Sequence, residues 1–551
     1  MSEGDDLGRR SIDPATVARY RDNGWWGDRT IVDDFLDAAA AQPDRVAVVS
    51  YRAGTAAPTR TTYAELELAS RRVAAALIEL GVEPGDSVSL QLPNAWEFPA
   101  ITYGILRAGG VVNPLIPILR HRELSFILDR TRSSVLFVPD TWRGFDYAAM
   151  ATSLRESIPT LSHVVTIGAE VADCLNFERD ITGPAREEQP GLSAALASRA
   201  PSADDLVQIQ FTSGTTGEPK GVIHSHNTLR TGARSLDQVY GLGGDDVCFM
   251  ASTLAHQTGF ALGMAKPLGL GATIVYQDVW DARALLGAVE REGIAWTVSA
   301  TAFAVDLVEA QRRDPHDLST FRYFVCGGAP IPPKAVEDAR EVLGLELIAV
   351  WGMTENLIVT TTRPGDPVEL VSDSDGIPVD WMEIRILGED GQPVAVGEAG
   401  DLHVRGPSQA LGYYKRPDLY AAANPDDDWF DTGDVARLRA DGGIRIVGRT
   451  KDLIIRGGEN VPVAEVEDLL LRHPAVADVA VVAVPDERLG ERGCAVVLPD
   501  GAAPTLTELT AYLDEQGMAK QFWPERLELV DEMPRTASGK IQKYVLRERF
   551  G

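Results

Sequence analysis

The segment Phe211-Thr-Ser-Gly-Thr-Thr-Gly-Glu-Pro-Lys-Gly221 limits what this chain can become more than any other. It holds four hydroxyls (Thr212, Ser213, Thr215, Thr216), three glycines (Gly214, Gly217, Gly221) and Lys220 within eleven residues. Before it, Val207-Gln-Ile-Gln-Phe211 alternates apolar and polar residues and predicts a strand; after it, Val222-Ile223 predicts the start of another. A loop of this composition between two strands turns several N–H and O–H donors toward one anion. Its glycines allow backbone angles and close approach that a side chain blocks, and Lys220 adds a movable positive charge. The composition is that of a polyphosphate cradle running from Thr212 through Gly217 to Lys220. It is not the GxxxxGK[ST] loop, because the spacing differs and no Ser or Thr follows the lysine. The alternative is a polar hairpin turn, but a turn requires neither the run of hydroxyls nor the Pro-Lys-Gly ending.

A chain of 551 residues is too long for one ordinary core and predicts at least two domains. Hydrophobic residues at 44% supply large cores and argue against disorder. The net charge of −29, from 81 acids against 52 bases, disfavours nucleic acid and anionic membranes as general partners. It does not disfavour a nucleotide, whose site needs only a local positive field. Cys174, Cys248, Cys326 and Cys494 form no CxxC pair, so neither a zinc site nor a disulfide framework is predicted, and a reducing cytoplasm fits. The N-terminus is acidic with no apolar run behind it, which predicts no secretory signal. The most apolar long stretch, Gly259 to Tyr276, is interrupted by Lys266-Pro267 and falls short of a membrane span.

From residue 31 to 139, helical patterns alternate with short strand patterns. A helix starts at Ile31, and a second is capped at Thr61-Thr62 with Glu65 and stops at Gly81. Strand Ser87–Leu92, helix 96–109 and strand Ser134–Pro139 follow. The alternation predicts stacked parallel βα units. Residues 165–204 read as a polar surface connection. His224-Ser-His226 has the spacing to set two imidazoles on one side of a strand, but no third ligand is evident and a structural role is favoured. Tyr323 to Gly327 and Glu346 to Trp351 predict adjacent strands ending in Gly327-Gly328-Ala329-Pro330 and in Gly352-Met-Thr-Glu355. Two such turns meet at one sheet edge, where α/β sheets bind ligands. From Val463 on, helix, two strands, helix 506–516 and strand 526–530 predict a compact α+β unit of about 100 residues.

In sum, a large N-terminal domain of stacked βα sheets (1–449) is expected before a small α+β domain (450–551). The order of motifs resembles the adenylate-forming superfamily: acyl-CoA synthetases, peptide-synthetase adenylation domains and luciferases. The loop at 212–220 resembles its signature loop, and Leu106-Arg-Ala-Gly-Gly110 resembles a landmark that packs a helix closely. The resemblance implies ATP and Mg2+ as cofactor requirements. It implies that Gly327, Gly328, Ala329 and Pro330 contact adenine and that Trp351 stacks on it, where the family usually has tyrosine. It implies that Thr354 contacts a phosphate, that Glu355 holds Mg2+, a cation that prefers hard oxygen ligands, and that Asp434 and Arg449 reach the ribose. His256, Phe260, Met264 and Gly352 correspond to the acyl pocket; for His256 a satisfied core histidine is the alternative. Lys451 corresponds to the hinge of a mobile C-terminal domain. Gly457, Gly458 and Glu459 correspond to the thiol tunnel, and Lys540 in Met533-Pro-Arg-Thr-Ala-Ser-Gly-Lys540 to the catalytic lysine.

No carboxylate occurs between Phe249 and Gln277, where amino-acid-activating relatives usually carry an aspartate, so a simple carboxylic acid is expected. The run from Arg456 to Glu467, with Pro485 to Arg492, is similar to stand-alone bacterial acyl-CoA synthetases. Tyr20-Arg-Asp-Asn-Gly-Trp-Trp26 is similar to ligases for cyclohexanecarboxylate and other cyclic or short-to-medium-chain acids. No carrier domain is expected beyond residue 551. Coenzyme A is the expected acceptor, with a separate acyl carrier protein as the alternative. A non-catalytic nucleotide-binding protein is a third reading, opposed by intact Lys220, Glu355, Asp434, Arg449 and Lys540. Neither nucleic acid nor integral membrane association is expected.

Overall fold

A computed structural model describes residues 7–212, 219–328, 331–388, 390–425, 428–449, 454–456, 459–461, 463–486, 490–516, 518, 520–535 and 540–551. Of the expected site residues, Ser213, Gly214, Thr215, Thr216, Gly217, Ala329, Pro330, Lys451, Gly457 and Gly458 lie outside the described residues. For Arg449 and Glu459 the backbone alone is described, each within a strand.

Among the described residues, nine strands form one sheet in the order Ile377–Pro378, Leu357–Thr361, Glu346–Met353, Tyr323–Gly327, Ile294–Ser299, Val247–Met250, Ile274–Gln277, Val46–Tyr51, Thr59–Thr62. Eight form a second: Gly412–Tyr413, Lys220–Ser225, Leu206–Thr212, Val111–Pro114, Ser87–Leu90, Val135–Pro139, His163–Ile167, Leu175–Asn176. A smaller antiparallel sheet spans Glu383–Leu387 to Ile444–Arg449. The last sheet, from Ile454–Arg456 to Arg526–Leu529, belongs to the small C-terminal α+β domain. The expected parallel pairing holds in the middle of both large sheets. Three of their four edges are antiparallel, where Leu357–Thr361, Thr59–Thr62 and Lys220–Ser225 each run back along the preceding strand, while the edge strand Leu175–Asn176 pairs in parallel.

Local signals explain the helices between the sheets. Thr62 caps Tyr63–Glu79: its hydroxyl accepts from the Glu65 N–H at 3.2 Å, while Glu65 accepts from the Thr62 N–H at 2.8 Å. The chain leaves that helix at Gly81, whose φ of +87° suits glycine. Every residue of helix Glu97–Arg107 is buried. A Cβ on Gly104 would lie 2.4 Å from Val73 Cγ1, so glycine sets how closely this helix approaches its neighbour. Arg107 pairs with Glu67 at 2.9 Å and donates to Ser70 at 2.7 Å, consistent with a packing role for the Leu106–Gly110 landmark.

Gln208 and Gln210, which alternate with apolar residues in the expected strand, are both buried, because their sheet is covered on both sides. Two local expectations require correction. Residues 165–204 are more than a surface connection, since Phe177 and Ile181 insert into the main core. The two histidines do not share a strand face. The strand ends at Ser225, which caps helix His226–Ala233, so His224 closes the strand and His226 opens the helix. The early aromatic segment folds on itself: Tyr20 and Trp26 meet edge-on at 5.2 Å, and the Trp26 indole donates to the Pro407 carbonyl. All four cysteines are buried and unbridged. Among the described residues no helix is long and apolar enough to cross a membrane.

Candidate functional site

The strands on either side of the hydroxyl-rich loop form an antiparallel hairpin in which Thr212 stands opposite Lys220. The return strand also pairs with Gly412–Tyr413, Val222 opposite Tyr413 and Ile223 opposite Gly412. That pairing brings the Lys220 ammonium to 4.9 Å from the centre of the Tyr413 ring, a cation–π distance. The corner of the eight-stranded sheet thus carries a cation held over an aromatic face.

The Thr354–Glu355 turn arrives at the same corner from the nine-stranded sheet, after strand Glu346–Met353. Glu355 is buried, and its Oε1 accepts the Tyr413 hydroxyl at 2.7 Å. Its carbonyl accepts from the Ala410 N–H at 2.6 Å. One residue earlier, the Thr354 carbonyl accepts from His224 Nε2 at 2.8 Å, and the Thr228 hydroxyl lies 3.0 Å from Nδ1. Burial pushes the His224 pKa down to about 4, so at neutral pH the ring is uncharged. His224 therefore ties one sheet to the other, while His226 accepts from the Ile31 N–H at 3.3 Å. Among the described residues no group of three or more His, Cys, Asp or Glu is arranged to hold a metal unaided.

Trp351 is buried on strand Glu346–Met353, and its indole N–H donates to Asp434 Oδ2 at 3.1 Å. Asp434 is also buried and stands opposite Arg449 in the backbone register of the small antiparallel sheet. The indole provides a polar contact in place of the hydroxyl that a tyrosine would bring. On the next strand, Gly327 closes Tyr323–Gly327 and Gly328 adopts φ +86°.

His256 caps the short helix Gln257–Phe260, with Nδ1 accepting from the Thr258 N–H at 3.3 Å, which leaves the proton on Nε2. Its pKa falls to about 4, first through burial and then through the positive charge of Lys540. The segment beneath it is held by the two buried glutamines. Gln210 donates to the Ala255 carbonyl at 2.6 Å, and Gln208 donates to Gln257. Phe260 and Met264 have no exposed surface and belong to the main core. At Gly352 an added Cβ would lie 2.0 Å from the Leu357 carbonyl oxygen, so only glycine fits this bulge.

Lys540 reaches Gly328 from the far end of the chain. A Cβ on Gly328 would lie 3.1 Å from Lys540 Cε and 3.8 Å from Nζ. The small domain that carries it docks through Arg445, which pairs with Asp468 and lies 3.8 Å from Asp375. Two groupings drawn from separate parts of the chain result: Thr212, Lys220, Tyr413 and Glu355 at one sheet corner, and Gly328 with Lys540, whose charge reaches His256. Two features of these groupings escape the sequence: Tyr413, and the glutamines under His256. An aromatic after Gly412 carries no local signal, and the alternation of the glutamines predicts a strand but not what the glutamines hold.

The chain matches the model for AMP-binding enzymes over residues 35–414 and that for the AMP-binding enzyme C-terminal domain over residues 465–540. It is 34% identical to a medium-chain fatty-acid–CoA ligase of Escherichia coli over 96% of this chain and 92% of the relative. It is 35% identical to a salicyl-AMP ligase / salicyl-S-ArCP synthetase of Mycobacterium tuberculosis over 97% and 93%. Among solved structures it superposes on the anthranilate CoA ligase AuaEII in complex with anthranoyl-AMP, with TM-score 0.84 and 26% identity, over 95% of this chain and 97% of that one. With both family models matched in order, and with the relatives covered nearly end to end, this chain belongs to the AMP-binding enzymes of the adenylate-forming superfamily.

Proposed function

We propose that the chain activates a carboxylic acid with ATP and transfers the acyl group to the thiol of coenzyme A. The observation that carries the reading is the seat of Lys540 over Gly328 and beside His256. A carboxylate is a poor acyl donor because it is anionic and lacks a good leaving group. In the first step its oxygen attacks the α-phosphorus of ATP, the bond to the pyrophosphate oxygen breaks, and acyl-AMP forms. Negative charge crowds together there, and preorganised positive charge is the main catalytic resource. Lys540 is assigned to bridge the carboxylate and the α-phosphate. Lys220 and the loop at 212–217 are assigned to the outer phosphates, with Thr354 contacting phosphate. A neutral His256 leaves an Nε2–H donor for the acid without adding a competing cation.

Glu355 fits a Mg2+ ion carried by the nucleotide. It offers a buried oxygen donor, bonded to the tyrosine that Lys220 overlies, rather than a full protein cage among the described residues. Mg2+ is commonly held by one or two carboxylates together with substrate phosphates. When bound, it supplies positive charge to the departing pyrophosphate. Gly327, Gly328, Ala329, Pro330 and Trp351 are assigned to adenine, Asp434 and Arg449 to ribose, and Gly352 to the wall of the acyl pocket, behind which Phe260 and Met264 stand as buried core residues.

In the second step the thiol sulfur attacks the acyl carbon, AMP leaves, and the thiol proton passes to solvent. We assign residues 1–449 and 450–551 to two bodies hinged near Lys451, with Gly457, Gly458 and Glu459 along the path of the thiol. Lys451→Pro, which restricts backbone rotation, is expected to spare adenylation and impair thioester formation; equal loss in both half-reactions would remove the hinge assignment.

The test is pyrophosphate release across medium-chain, aromatic and alicyclic acids, with CoA, with a purified carrier protein, and with neither. Release that rises with CoA supports the ligase reading. Release coupled only to the carrier protein supports the second reading, which the 35% identity to a salicyl-S-ArCP synthetase favours. Near-normal ATP–pyrophosphate exchange in Lys540→Ala would overturn the assignment of the lysine.

A further inference from the structure

Tyr413 touches two groups assigned to the phosphates, and resting on that assignment we propose that it is the positioning residue that sets them against each other. Its hydroxyl donates to Glu355 at 2.7 Å, and its ring lies 4.9 Å from the Lys220 ammonium. It is buried, with Tyr420 edge-on to it at 5.3 Å. Tyr413 thus contacts a carboxylate and an ammonium at once, and direct pairing of those two groups would withdraw both from a nucleotide. A tyrosine between them gives the carboxylate a neutral donor and the ammonium a π face. The bond uses Oε1 of Glu355, and among the described residues nothing donates to Oε2.

The backbone of Tyr413 is held from both sides. On one side, Leu411 N–H donates to the Ile223 carbonyl at 2.9 Å and Tyr414 N–H donates to the Gly221 carbonyl at 2.6 Å. On the other side lies the start of the described chain. Arg10 N–H donates to the Leu411 carbonyl at 2.6 Å, and Lys415 N–H donates to the Leu7 carbonyl at 3.0 Å. The two segments cross glycine on glycine. A Cβ on Gly8 would lie 2.4 Å from the Tyr413 carbonyl oxygen, and one on Gly412 would lie 2.1 Å from the Gly8 carbonyl oxygen. Arg10 then pairs with Asp428 at 2.8 Å, both side chains largely buried. Residues 7–10 form a strap whose close contact fixes the Tyr413 main chain, and through it the direction of the hydroxyl.

The geometry separates two effects that conservative variants can test. Tyr413→Phe keeps the ring under Lys220 and removes the bond to Glu355; Tyr413→Leu removes both. The measurements are the Mg2+ concentration for half-maximal ATP–pyrophosphate exchange, Mn2+ binding by electron paramagnetic resonance with a non-hydrolysable ATP analogue, and calorimetric binding of metal-free ATP in chelator. For Tyr413→Phe, half-saturation by Mg2+ is expected to rise about tenfold, in line with loss of a hydrogen bond to a charged group, and Mn2+ binding should weaken in parallel, while metal-free ATP binding stays within twofold. Tyr413→Leu should also weaken metal-free ATP binding several-fold. Gly8→Val, outside the nucleotide contacts, should raise the Mg2+ requirement in the same direction. Glu355→Gln is run alongside. An unmoved Tyr413→Phe beside a shifted Glu355→Gln overturns the role given to Tyr413. An unmoved Glu355→Gln overturns the metal assignment of Glu355 and the proposal with it. Identical behaviour of the Phe and Leu variants overturns the part given to the ring.

Discussion

Gly328→Ala tests whether the docked lysine is the part of the site that adenylation alone requires. Gly328 sits at φ +86°, where an L-residue is strained, and its new Cβ would stand 3.1 Å from Lys540 Cε. The left-handed backbone costs about 1–2 kcal/mol. The contact is tighter than ordinary packing, so the tip of the lysine must retreat by a few tenths of an ångström. The backbone strain lowers stability, whereas a retreat of the lysine that weakens its transition-state contact by about 1.4 kcal/mol is a factor of ten in rate, so adenylation is expected to slow about tenfold. A β-branched residue at the same position should cost more. The assay is ATP–pyrophosphate exchange at saturating ATP, compared with thioester formation from preformed acyl-AMP. On the proposed hinge assignment the second reaction uses the same AMP site with the lysine withdrawn, so its rate should fall no more than about twofold. In a Lys540→Ala background, adding Gly328→Ala should change exchange little, because the two positions act as one unit. Equal loss in both half-reactions, or full additivity with Lys540→Ala, would refute the reasoning and assign the effect to the nucleotide pocket.

Two further outcomes follow from the same geometry. Trp351→Phe keeps the aromatic face and deletes the 3.1 Å bond to buried Asp434; a hydrogen bond to a charged group contributes about 1.5–3 kcal/mol, so the KM for ATP should rise about tenfold with a smaller change in kcat, and an unchanged KM would contradict the coupling. His226 is fully buried with its pKa lowered to about 4, chiefly by burial. The unfolded chain takes up this proton near pH 6.5 and the folded chain only near pH 4, so the stabilisation is complete above 6.5 and is lost as pH falls through that window, by about 2 kcal/mol at pH 5. Urea denaturation at pH 7 and pH 5 should therefore show a steeper loss for the native chain than for His226→Asn, and equal losses would refute it.

Much of this protein was legible from local chemistry. The capping box at Thr62 and Glu65, the hairpin around the hydroxyl-rich loop and the strands leading to Gly327 and Glu355 are encoded within short windows, where side-chain periodicity and caps act directly on the backbone. Motif order was enough to indicate the adenylate-forming family. The tertiary structure decided what depends on elements distant in sequence. Alternation in Val207–Phe211 predicted a strand, but only a covered sheet turns Gln208 and Gln210 into the support beneath His256. The spacing of His224 and His226 suggested a shared face, but the strand-to-helix change at Ser225 separates them and gives His224 the Thr354 carbonyl. Tyr413 carries no signal in its own neighbourhood. Its position relative to Glu355 and Lys220 exists because strand Gly412–Tyr413 adds to the edge formed by Lys220–Ser225, under residues 7–10 from the other end of the chain. Local sequence determines which groups are available and which backbone carries them. The distances between those groups come from long-range strand pairing and packing, whose partners lie hundreds of residues away.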